Sequence, residues 1–67
     1  MPRLLDQPVP NPGTKYAVRY WTARAREAAR EIDRAMAADD VATASRWAND
    51  LVGIGGELEL ALAAVGA

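Results

Sequence analysis

The segment LVGIGGELEL, residues 51–60, sets Gly53, Gly55 and Gly56 among apolar residues in a stretch that otherwise has helical spacing. Three readings compete: a break between two elements, a loop that cradles phosphate, or a helix that has given up side chains so that another chain can come close. The flanking residues weigh between them. Apolar side chains recur at Ala44, Trp47, Leu51, Ile54, Leu58, Ala61 and Val65 in alternating steps of three and four, the repeat of a helical seam. Ile54 lies between the glycines and keeps the phase on both sides, which a loop has no reason to do. The spacing predicts one helix, straight or kinked, over residues 40–65. The alternative is a real break at 53–56, with Gly53 or Gly55 ending one helix and Gly56 starting a short third. It stays open because each interior glycine costs about 1 kcal/mol relative to Ala. The phosphate loop is the weakest reading, since no strand signal precedes it and Glu57 and Glu59 would repel the anion.

Upstream, GTKYAVRYW (residues 13–21) opens another helix, with Thr14 as the N-cap and no proline anywhere after it. Its seam runs through Val18, Trp21, Ala25, Ala28, Ile32 and Ala35, which predicts a helix over 15–38. The segment AADDVA (residues 37–42) supplies Asp39 or Asp40 as the next N-cap after a very short turn, and both acids suit the positive start of a second helix.

Folded back at Asp39–Asp40, the seams pair as Ala35 with Ala44, Ile32 with Trp47, Ala28 with Leu51, Ala25 with Ile54, Trp21 with Leu58, and Val18 with Ala61. The numbers of each pair add to the same constant, and large faces small in most layers, as interdigitated packing prefers. On one flank Arg24 falls near Glu57, an opposite pair, and Glu31 near Asp50, a like pair. The expected fold is all-α: an antiparallel two-helix hairpin over residues 14–67, with a proline-rich extended arm over residues 1–13. Each helix is about 35 Å long at 1.5 Å per residue.

The arm, MPRLLDQPVPNPG, holds all four prolines, which fix φ, lack an amide donor and disfavour helix in the residue before them. Leu4, Leu5 and Val9 give it apolar side chains to dock. Tyr16, Tyr20 and Leu60 lie at the open end of the hairpin and off the seam. With the arm they form either a cap on that end or a contact for another protein.

Beside the seam run Thr22, Ala29 and Met36 from the first helix and Val41, Ala48, Gly55 and Leu62 from the second. They widen the apolar stripe beyond what a lone hairpin buries. The middle of this flank is small, so a second backbone can approach closely. These seven residues are the expected partner interface, most simply with another copy of the hairpin, completing a four-helix bundle by self-association or on another protein.

Composition narrows the chemistry. Sixty-seven residues without Cys or His leave no disulfide, no usual zinc ligand set, no thiol nucleophile and none of the commonest general bases. So small a domain usually needs a partner or an idealised helical core. Glu27 with Glu31, and Glu57 with Glu59, are the candidate carboxylate pairs. The first sits among Arg24, Arg26, Arg30 and Arg34 in the manner of a solvated helix face, with no nucleophile nearby. No enzyme activity, metal or cofactor is expected.

The net charge of −1 conceals opposed halves. Residues 1–34 carry seven basic and four acidic groups, a balance of +3, and residues 35–67 carry one basic and five acidic, a balance of −4. Such halves suggest that the two lie side by side. Arg19, Arg26, Arg30 and Arg34 line an outer face near Tyr16 and Tyr20, the pattern of a nucleic-acid contact, although Glu27, Glu31 and Asp33 share that helix. Residues 58–67 are apolar but span about half of the roughly 20 residues a membrane helix needs, and no secretory signal is evident.

The richness in Arg and Ala points to a high-GC genome. The function expected is a non-enzymatic interaction or assembly module in the cytoplasm or within a larger assembly: a small component of a phage particle or other complex, or an inhibitor or regulator of a partner protein. The alternative is a small DNA- or RNA-binding regulator that uses the arginine face.

Overall fold

The computed structural model describes residues 14–66. The expected arm, with Leu4, Leu5 and Val9, lies outside the described residues. Two helices form an antiparallel hairpin: α1, Lys15–Ala37, and α2, Val41–Gly66. Thr14 caps α1 from an extended backbone conformation, its hydroxyl accepting the Ala17 amide at 3.4 Å. That capping satisfies one of the donors a helix start leaves open.

The turn between the helices is built from Ala38, Asp39 and Asp40. The Asp39 amide donates to the Met36 carbonyl at 3.0 Å, and the Asp40 amide reaches back to Ala35 at 2.8 Å. This is the double closure that ends a helix at a left-handed residue, and Asp39 holds that conformation, with φ 56°. Aspartate tolerates it better than most residues, but a side chain there is still strained. Asp39→Gly is therefore expected to stabilise the hairpin by about 1 kcal/mol, a rise of about 4–8 °C in melting temperature for a chain of this size. A lower melting temperature in a thermal scan would show that the Asp39 side chain contributes more than the strain it carries.

Of the two candidate caps for α2, the structure uses Asp40. Its carboxylate accepts the Thr43 hydroxyl at 2.7 Å and the Thr43 amide at 3.1 Å. Those bonds, the hydroxyl's first, hold its pKa below the ordinary value of 3.8, and the Arg46 charge adds to the effect. The contribution is therefore fully present above that value and is lost as acidification takes Asp40 through its lowered pKa.

α2 runs unbroken through Gly53, Gly55 and Gly56, none with positive φ. The alternative of a break at 53–56 is not realised. The seam residues Leu51, Ile54, Leu58 and Ala61 stay buried or half-buried on both sides of the glycines, so continuing the helix preserves burial that a break would lose.

Let a denote seam positions 18, 25 and 32 of α1 and 44, 51, 58 and 65 of α2, and d positions 21, 28 and 35 and 47, 54 and 61. In all six expected layers both members are buried or half-buried. The burial is uneven, however. Ala28, Ala35, Ile54 and Ala61, all at d, are buried, and Ala44 is the buried a residue. Val18, Ala25, Ile32, Leu51 and Leu58, also at a, are only half-buried, as are both tryptophans.

Two residues depart from the expected seam. Ala17, one position off it on the flank adjoining d, has no exposed surface at all. Val65, expected in the core, is 46% exposed. Its level on α1 corresponds to Thr14, where that helix has not yet begun, so the 26-residue α2 outruns the 23-residue α1 and leaves Val65 unopposed.

The charges differ as well. Arg24 does not pair with Glu57 across the hairpin. Its side chain is 15% exposed, and its guanidinium lies 3.5 Å from Glu27 one turn along the same helix. Glu31 likewise pairs with Arg34 at 3.2 Å, away from the like charge of Asp50.

Candidate interaction surface

On a helix with this repeat, each a residue adjoins the e position four further along, while the flank of Ala17, Arg24 and Glu31 adjoins d. Along α1 that second flank is the more covered, with Ala17 buried and Arg24 and Glu31 half-buried, whereas Ala29 and Met36 of the e flank are exposed. In an antiparallel pair the e flanks of both helices lie on the same side. They carry the seven residues singled out as a partner interface.

The structure places six of the seven on the surface. Met36, Val41 and Leu62 are exposed, Val41 to 60%, and Ala29, Ala48 and Gly55 are exposed between them. Thr22 is half-buried, its hydroxyl donating to the Val18 carbonyl at 2.7 Å. The face therefore has large apolar residues near both ends and small ones in the middle. The half-buried Val18, Ile32, Leu51 and Leu58 lie behind it.

Of the three glycines, Gly55 lies on this surface. A Cβ built on Gly53, Gly55 or Gly56 meets no atom within 4 Å. Nothing in the described part of the chain requires a glycine at any of the three. Val52, which sequence reasoning passed over, is 76% exposed on the outer side of the same helix. Its place two residues before Ile54 was visible in the sequence, but off the seam it carried no periodic signal.

At the open end Tyr16 and Leu60 are exposed, with the Lys15 ammonium 5.7 Å from the Tyr16 ring centroid, within cation–π range. Tyr20 is half-buried, its ring edge-on to Trp21 with centroids 4.9 Å apart. These residues do not form one patch with the glycine face. Tyr20 belongs to the Trp21 side and is partly used in holding it.

Of the arginine face, Arg19, Arg26 and Arg30 are exposed without ion-pair partners among the described residues, while Arg34 is engaged by Glu31. Both carboxylates of the Glu27 and Glu31 pair are likewise engaged, each by an arginine one turn away. The described residues contain no pocket and no group of acidic side chains close enough to hold a metal. No helix among them is long and apolar enough to cross a membrane.

Fold and surface together define a class: a small all-α hairpin with one apolar face uncovered. Compared with known proteins, the chain matches no family model, no curated protein and no solved structure.

Proposed function

We propose that the chain is a non-enzymatic interaction module that completes its core against another protein, as a small component of a multi-protein assembly or as a regulator of the protein it binds. The observation that carries this is the incomplete core. Five of the six buried hydrophobic residues are alanines, Ile54 is the sixth, and no large side chain among the described residues is fully buried. Burying apolar area is the main favourable term in folding, and a hairpin with so little of it gains most by covering the outward face with a partner.

The test uses Val41→Lys with Leu62→Lys, two exposed positions on the outward face, with circular dichroism to check that the variant keeps its helices. The parent chain in cell extract is expected to migrate in a complex heavier than its own 7.2 kDa. Placing two charges in an apolar interface should weaken that complex by more than about tenfold. A parent that migrates at its own mass both in extract and purified at high concentration would refute the module.

A second reading, a small nucleic-acid-binding regulator, is favoured by Arg19, Arg26 and Arg30, which are exposed and have no ion-pair partner among the described residues. Binding to random DNA that falls steeply with salt and survives the two lysine substitutions would favour it over the first.

A further inference from the structure

We propose that the partner is a second copy of this chain, the two hairpins related by a two-fold axis running along the helices, so that each α1 lies antiparallel to α2 of both copies. This rests on the interaction-module reading and names its occupant. Charge selects the arrangement. α1 carries six basic and three acidic groups, a balance of +3, and α2 one basic and three acidic, a balance of −2. Two hairpins meeting face to face have two symmetric choices. An axis across the helices sets α1 on α1 and α2 on α2, opposing like charges. An axis along them sets each α1 on the other copy's α2, opposing unlike charges.

The second choice also fits in detail. Rotation about the helix direction leaves heights unchanged, so the layer pairing of the hairpin carries over to the contact between copies. Ala29 of one copy then falls between Ala48 and Gly55 of the other, small against small, where the backbones come closest. Met36 falls between Val41 and Ala48. Gly55, which nothing inside the described chain requires, gains a reason. On the outer edge of the contact, Arg19 comes level with Leu60, one residue from Glu59. Both Arg19 and Glu59 are exposed and make no ion pair within the hairpin. Arg26 comes level with Gly53, where its stem covers the exposed Val52.

Sedimentation equilibrium of the purified chain tests this. The parent is expected at twice its chain mass, dissociating on dilution. Arg19→Glu alone and Glu59→Arg alone each set like charges together twice per dimer and should weaken it about tenfold, less at high salt. The double swap restores opposite charges and should return affinity to within about threefold of the parent. Circular dichroism checks that each variant keeps its helices, as expected for exposed positions. A purified parent that stays monomeric, a larger closed oligomer, or single and double variants with merely additive losses would overturn the proposal. A monomeric purified parent that still migrates in a heavy complex in extract would overturn the second copy and leave the interaction module standing. A parent monomeric in both would remove both.

Discussion

Ile54→Ala is expected to unfold the isolated hairpin. Among the described residues Ile54 is the one large side chain in the buried set, 5% exposed, and every other member is an alanine. Truncating a buried isoleucine to alanine costs about 2–5 kcal/mol, the transfer free energy of the lost atoms plus the cavity left behind. Small domains have only about 5–15 kcal/mol of stability, and one this size sits at or below the lower limit. The loss should therefore appear as collapse of the helical circular dichroism signal at room temperature, with a partial return at high protein concentration if association supports the fold. Ile54→Val, which removes one methylene, should cost only about 0.5–1.5 kcal/mol. If the alanine variant melts at the parent's temperature, the core does not centre on Ile54, and the pairing of the seams is wrong.

The second large effect runs in the opposite direction and separates the glycines from one another. Gly53 and Gly56 lie off the outward apolar face, and a Cβ at either meets open space. Changing both to alanine should stabilise the hairpin by about 2 kcal/mol through helix propensity alone, with association unchanged. Gly55 lies on the face. Gly55→Leu should raise helicity by a similar mechanism, about 1 kcal/mol, yet weaken association, because overpacking a close contact costs about 1–3 kcal/mol. A thermal melt and a sedimentation series on the same samples measure both. A Gly55→Leu chain that associates as the parent does would remove the glycine face from any interface. Loss of helix in the double alanine variant would mean that the glycines are needed inside the fold, against the open space around them.

Much of the architecture was legible because periodicity survives where propensity fails. Ile54 kept the seam in phase across three poor helix formers, and the helix follows the phase. The caps were legible from side-chain chemistry, Thr14 outright and Asp40 as one of two candidates with Asp39: each carries an oxygen that reaches an amide three residues on. Which flank of α1 is the more covered was not. A seam of alternating threes and fours names a face only to within about one residue's turn, and Ala17 and Arg24 lie just beyond its edge. Alanine and an arginine stem give no hydrophobic contrast strong enough to show that this flank is more covered than that of Thr22 and Ala29. Val65 was misplaced for a different reason: the seam of α2 carries no information about where α1 starts. The ion pairs Arg24–Glu27 and Arg34–Glu31 reflect the short reach between neighbouring turns, which competes well with any partner across the hairpin.

The three-residue turn held by Asp39 also sets an order of events. Ala35 and Ala44 meet by closing a loop of a few residues, whereas Val18 and Ala61 meet only by closing one several times longer. Loop-closure entropy grows with the logarithm of that length, so contacts near the turn form first and each one shortens the loop left for the next. The hairpin is therefore expected to zip from Asp39 toward the free ends and to unzip in reverse. Amide protons should exchange with solvent in a gradient along both helices, slowest around Ala35 and Ala44 and fastest around Ala17 and Ala61.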